Sequence, residues 1–460
     1  MSVAKSSHVA HSARSIRLPG RHEAIEGWEK NLGEAQRTGS VLMAQVLSLA
    51  FRSTSLLIVG RYMGAASVGL VVSVVALGSF VALVAGTGLR GSAIYFLPQY
   101  AQSDDGAHRM GFIKSGLRRI SIVGFSITII SAFVSAVLAH YNVAYSAVFV
   151  LASLFGTWSA AAVFLGEVLK ADNLPLSAAI FFQGTQAAIL LPLVAIAVWL
   201  TDSWQVVGGC FAIAAASTTG LLFLAVRPSV ARHADYSEQS AWSKYSLPLV
   251  LSGASLLVLS QAPVLVVGAL ASTEQAGIYA VCYRIAAIPV LCAAAINSAL
   301  APAVVLSLRA GEFLAAGRRY RRIIRINLVL VAGTLVGVVA LGKFVLSLHG
   351  AEFTDETKTL IILTLGLSGS ATVGPVAILL TAVGRNWDVV ISYGLVAVAT
   401  LAATAFASST HGALGAATVI AIAMATQATA QSILLRRAWP SSLGDIDRGA
   451  MGRVQAVIDR

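Results

Sequence analysis

Apolar runs long enough to cross about 30 Å of hydrocarbon recur twelve times along the chain, separated by short polar segments. They fall at roughly 40–60, 66–100, 119–139, 144–167, 175–200, 204–226, 246–271, 276–305, 323–347, 357–382, 386–408 and 411–434. This pattern predicts an all-α integral membrane protein with about twelve transmembrane helices. The second and eighth runs are the longest, and Pro98 and Pro302 inside them predict helices that bend or continue past the membrane surface. An even number of crossings puts both termini on one side.

Composition agrees with the pattern. Of 460 residues, 57% are hydrophobic and 11% charged, against about 25% charged in soluble domains. The net charge of +12 raises the question of nucleic acid, and the distribution of the charge answers it. If the amino terminus is cytoplasmic, the inner segments and adjoining helix ends hold 26 of the 32 Lys and Arg. This satisfies the positive-inside rule and places both termini in the cytoplasm. The run "RRYRRIIR" (318–325) then reads as a loop that holds topology and touches anionic lipid headgroups, and no nucleic-acid partner is implied. The first 39 residues contain no apolar stretch of the kind a cleavable signal peptide needs. Within them Ile25, Trp28, Leu32 and Ala35 fall at helical spacing, as in an interfacial amphipathic helix over 22–37. Residues 227–245 read as a basic linker, and 435–460 as a tail. Cys210, Cys282 and Cys292 all sit in apolar runs and form neither a disulfide framework nor a metal spacing.

Two motif matches fail on context. "GTGLRG" (86–91) fits a dinucleotide loop, but it lies late in a membrane span with no βαβ unit around it. "GVVALGKF" (337–344) runs like a phosphate loop as far as the lysine, where Phe344 replaces the Ser or Thr that would hold magnesium. No cofactor is implied. No catalytic triad, metal cluster or carboxylate pair stands out either, so the chain reads as a non-enzyme. The three glycines of "GTGLRG" instead predict a flexible point in the second span, beside Arg90.

The candidate chemistry lies in charges inside the spans. Arg52 falls near the middle of the first, where an arginine costs roughly 3 kcal/mol on insertion scales. Gln45, Ser48 and Ser55 share one helical stripe with it, as expected of a face turned to a wet cavity or a neighbouring helix. Arg284 lies too deep in the eighth span for a loop charge, and Arg90 lies in the inner half of the second. No span has an acidic residue at its middle, and Glu167 and Asp388 fall at helix ends. The arginines are therefore expected to want a mobile anion. A guanidinium suits phosphate, which it binds through paired hydrogen bonds. Arg52, Arg284, Arg90, Gln45, Ser48 and Ser55 form the expected binding set. Gln183, Thr185, Gln186, Asn297, Ser298, Thr426, Gln427 and Gln431 are more ordinary inter-helix hydrogen-bonding residues that could also meet sugar hydroxyls. Tyr279, Tyr283 and Lys343 read as interfacial belt and anchor residues.

The sequence also carries an internal repeat. "VGRYMGAASVGLVVSVVAL" from Val59 overlays "VGALASTEQAGIYAVCYRI" from Val267 without a gap, matching Gly60 to Gly268 and Gly69 to Gly277. Each copy spans the turn between the first two helices of a six-helix set, so two lobes, 40–226 and 246–434, follow as parallel repeats. These stretches resemble the "G-x-x-x-x-G-x-Y" turn of polysaccharide flippases, although the first lacks the tyrosine and the second the leading glycine. "WSKYSLPLVLSGASLLVL" (242–259) is similar to that family's entry into its seventh helix, and "LHGAEFTDETKTLIILTL" (348–365) to its Gly-x-Glu-Phe segment. The chain thus resembles the O-antigen and exopolysaccharide (Wzx-type) branch of the multidrug/oligosaccharidyl-lipid/polysaccharide exporter superfamily. The resemblance implies two six-helix bundles around a central cavity. It implies alternating-access export of a polyprenyl-diphosphate oligosaccharide across the bacterial cytoplasmic membrane, with that lipid-linked substrate and membrane lipids as partners. Docking of a polysaccharide polymerase or glycosyltransferases on the basic loops stays open. A multidrug–cation antiporter would want carboxylates in helices 1 and 7, which have none. A murein-precursor flippase usually carries two further helices. A membrane glycosyltransferase would want a larger outside loop.

Overall fold

The computed structural model describes residues 34–102, 106–141, 145–172, 174–226, 235–236, 239–382 and 385–438. Among them every regular element is helical. The first half comprises α1 (Glu34–Gly86), α2 (Leu89–Gln102), α3 (Gly106–His140), α4 (Ser146–Ala171), α5 (Pro175–Ala178), a π-helical segment (Ala179–Gly184), α6 (Thr185–Leu200) and α7 (Trp204–Val226). The second comprises α8 (Gln239–Leu270), α9 (Thr273–Ala286), α10 (Ile288–Arg309), α11 (Phe313–His349), a 3₁₀ turn (Ala351–Glu356), α12 (Thr357–Thr372), α13 (Val376–Ala382) and α14 (Asn386–Ala438). The interfacial helix expected over 22–37 falls almost wholly outside the described residues, as do most of the 227–245 linker and the chain beyond 438.

Ten of these helical stretches are long and apolar enough to cross a membrane. Two are double length, Met43–Gly86 with 44 residues and Trp387–Ala438 with 52, where about 20 suffice. Each folds back at one glycine with non-helical backbone, Gly64 (φ 80°, ψ 174°) and Gly412 (φ 55°, ψ −133°), angles a side chain would strain. Counted leg by leg, the described residues hold twelve legs of membrane-spanning length. Both ends of the described chain then lie on one face, here the terminal face, with the Gly64 and Gly412 turns opposite.

The prolines do not break the helices in which they stand. Pro98 lies inside α2 and Pro302 inside α10. The second crossing breaks at Thr87 and Gly88, both at positive φ, and the eighth breaks at Ala287, just before Pro289 in the first turn of α10. A proline costs one ladder bond, which a membrane helix can absorb, whereas two consecutive left-handed residues end the helix outright.

Within the first half, α4 is central, packing on α1, α3 and α7; within the second, α14 packs on α8 and α12, and α11 on α10 and α12. The halves meet along α1 against α9 and α8, and α2 against α8. One apolar cluster spans that seam, with Leu56, Val59 and Val68 from the first half meeting Val267, Tyr279 and Phe353 from the second. Nearer the terminal face, the Trp242 indole donates to the Tyr100 hydroxyl at 2.8 Å.

The seam closes toward the Gly64 side through a reciprocal contact. A Cβ built on Gly69 would overlap the carbonyl of Thr273, and one on Gly277 would overlap the carbonyl of Ala65. Gly69 and Gly277, and likewise Ala65 and Thr273, are partners in the sequence repeat. Such a reciprocal approach is what a two-fold relation between the two copies would give. Beside it Glu352, at the 3₁₀ turn, accepts from the Ala65 N–H at 2.7 Å and so caps the second leg of α1 from the other half. The other glycine turn has a neutral counterpart within one half, where Gln275 Oε1 accepts from the Ala413 N–H at 2.9 Å. A carboxylate at a helix start contributes up to about 1 kcal/mol. Glu352→Ala should therefore raise the population open on this face about fivefold. Electron-paramagnetic-resonance distances between labels at Tyr62 and Ala271 would measure that; an unchanged distribution would show that Glu352 does not hold the halves together.

Candidate functional site

The stripe on the first leg of α1 divides among three environments. Ser48 is buried and donates to the Gln183 carbonyl at 2.8 Å. One turn on, the half-buried Arg52 donates through Nη2 to Gln186 Oε1 at 2.7 Å. Ser55 is buried and returns its hydroxyl to the Phe51 carbonyl of its own helix at 2.9 Å. Gln45, nearest the terminal face, is exposed.

Gln183 and Gln186 stand at the end of the π-helical segment and the start of α6. There the Thr185 N–H and hydroxyl both reach back five residues to the Ile180 carbonyl. This wider turn takes up one extra residue and re-phases α6 relative to α5 by about 100°.

Arg284 comes from the other half. It lies in the last turn of α9, where a cation meets the negative end of the helix, and it is half-buried. The seam brings its charge within electrostatic reach of Arg52 and of His349 at the end of α11. Neither Arg52 nor Arg284 has an acidic partner among the described residues.

Arg90 does not join this pair. It follows the Thr87–Gly88 break, its side chain is 68% exposed, and its Nε lies 3.0 Å from Glu167 Oε1. Lys170 Nζ shares that oxygen at 3.0 Å. The expectation that Arg90 lacks a protein counter-charge is therefore corrected. Glu167 is only 2% exposed, although it stands near the end of α4. Lys170, one turn away, was the signal that a carboxylate there could be held inside. The belt reading of Tyr279 and Tyr283 is also corrected. Tyr279 is fully buried in the seam and stacks on Tyr283 with ring centres 5.9 Å apart, because α9 turns this face to α1 rather than to lipid.

Most of the remaining polar residues bond between or along helices. Gln427 donates to Ser392 at 3.3 Å. Asn327, buried in α11 and overlooked in the sequence, donates to Asn297 at 3.2 Å and to the Ala371 carbonyl at 3.1 Å. Thr426 bonds back to Ile422 in its own helix. The Ser298 side chain lies outside what is described. Among the described residues no cluster of three or more His, Cys, Asp or Glu could hold a metal ion.

The architecture is that of a known class of membrane transporter. An inward-facing multidrug-resistance transporter of the multidrug and toxic compound extrusion (MATE) type superimposes with a TM-score of 0.65 at 15% identity, over 87% of this chain and 97% of that one. The lipid II flippase MurJ, in an inward closed conformation, superimposes with a TM-score of 0.66 at 15% identity, over 92% and 95%. An outward-facing MATE transporter gives 0.57 at 13% identity, over 89% and 96%. These likenesses establish a multi-pass helical transporter fold. Within it, the profile of the family described as "Polysaccharide biosynthesis protein" matches residues 35–306, more than half of the chain, and the protein belongs to that family. No curated protein matches.

Proposed function

We propose that the protein is a flippase that carries a polyprenyl-diphosphate-linked oligosaccharide across the bacterial cytoplasmic membrane, terminal face inward, by alternating access. One observation supports the reading: Arg52 and Arg284, one from each half, lie within electrostatic reach of each other, and neither has an acidic partner among the described residues. Two half-buried cations within electrostatic reach repel each other, and a travelling diphosphate would neutralise both through hydrogen bonds suited to the guanidinium fork. The apolar tail has a route in this geometry. The α9 helix packs along α1, whereas α10 turns to α11, α12 and α13, and the terminal-face part of α1 keeps Met43, Val46 and Leu47 uncovered. Membership in a polysaccharide-biosynthesis family fits a glycan cargo. A cation-exporting relative would need a free carboxylate, and Glu167 is engaged by Arg90 and Lys170.

The test is reconstitution. Proteoliposomes containing the full chain and a fluorescent prenyl-diphosphate oligosaccharide should move the label between leaflets, read by quenching from one side, and should not accumulate cationic dyes. Dye accumulation without lipid movement would replace this reading with a cation exporter.

A further inference from the structure

We infer that Gln186 and the π-helical segment are the positioning device for Arg52: they hold its guanidinium with a neutral acceptor and so keep its charge available to the anion. This rests on the arginine reading above and names how the site is built.

Two bonds one turn apart tie α1 to the same few residues, Ser48 to the Gln183 carbonyl at 2.8 Å and Arg52 Nη2 to Gln186 Oε1 at 2.7 Å. Both acceptors sit where the five-residue step of the helix ends. Such steps widen the backbone ladder and can re-aim carbonyls and side chains sideways. Gln186 is only 8% exposed, so its amide is fixed by packing and has little freedom to choose another partner.

The residue type matters as much as the place. A buried arginine is usually satisfied by a carboxylate, which would also cancel its charge and compete with any phosphate. Arg90, itself 68% exposed, is paired in that way with the buried Glu167. An amide oxygen removes one N–H from the list of unsatisfied donors and leaves the full positive charge, with the other four donors of the fork unpaired among the described residues. The same chain thus contains an arginine neutralised within the protein and an arginine held but not neutralised.

This makes a prediction that a purely structural contact does not. Gln186→Glu supplies a stronger partner for Arg52, so it should leave thermal unfolding unchanged or raise it, yet weaken anion binding. Gln186→Leu removes the partner and lets the guanidinium swing, so it should weaken binding less. The probe is farnesyl diphosphate, titrated calorimetrically into the purified full chain in detergent, with Arg52→Ala as reference. The expected affinities fall about tenfold or more for Gln186→Glu and for Arg52→Ala, and about threefold for Gln186→Leu. If Arg52→Ala weakens binding but both Gln186 variants bind like the parent, the positioning role is wrong and the arginine reading stands. If Arg52→Ala itself binds like the parent, the arginine reading falls and this inference falls with it. Loss of binding in Gln186→Glu together with a lower unfolding temperature would also overturn the inference, since a damaged fold would then explain the loss.

Discussion

Arg52→Ala and Arg284→Ala should each reduce lipid-diphosphate flipping to about 3% of the parent rate or less, while the protein still inserts and folds. Removing one partner from a charge-assisted contact in a water-poor site costs about 2–5 kcal/mol, and the lower figure already gives that loss. Lysine at either position should restore only part of the activity. It returns the charge as a single point but not the planar fork that grips two phosphate oxygens together. The double alanine variant should be little worse than the poorer single one, because two cations holding one group do not act independently. Flipping rates in proteoliposomes, set beside membrane-fraction yield and unfolding temperature, measure all of this. Parental flipping by either single variant removes that residue from the site.

The second large effect should come from the seam. Gly69→Val and Gly277→Val each place side-chain atoms where a carbonyl of the other half already lies. Overpacking of this kind costs about 1–3 kcal/mol and occasionally more, enough to shift the closed population by roughly five- to 150-fold. The halves should part on the Gly64 face, which label distances between Tyr62 and Ala271 would report as a longer component. Because Ala65 and Thr273 are equivalent in the repeat, the two variants should act alike. A marked difference between them would argue against the two-fold relation at this point. Gly86→Ala serves as a control, since nothing surrounds its missing Cβ.

The crossings were legible because their signal is composition over about 20 residues, which no tertiary contact can reverse. The repeat was legible for a related reason: glycines at matched places in two turns record a close approach, and Gly69 and Gly277 do meet. What stayed hidden depended on pairs distant in sequence. Arg90 and Glu167 are 77 residues apart, and nothing in the pattern of either helix announces the other. Gln186 looked like any amide within a span, because a π turn leaves no periodic mark and changes which face a residue presents. The second break was legible, since Thr87 and Gly88 lie in the 86–91 glycine stretch expected to flex, but Pro302 misdirected the eighth. A conspicuous residue stands there, but the backbone yields where glycine permits left-handed angles or where a helix has already ended.

The single-residue reversals at Gly64 and Gly412 affect how the molecule's orientation can be established biochemically. Four crossings are joined in pairs with almost no connecting chain, so a protease added from that side finds little to cleave at either reversal. Proteolytic mapping is therefore best read from the terminal face.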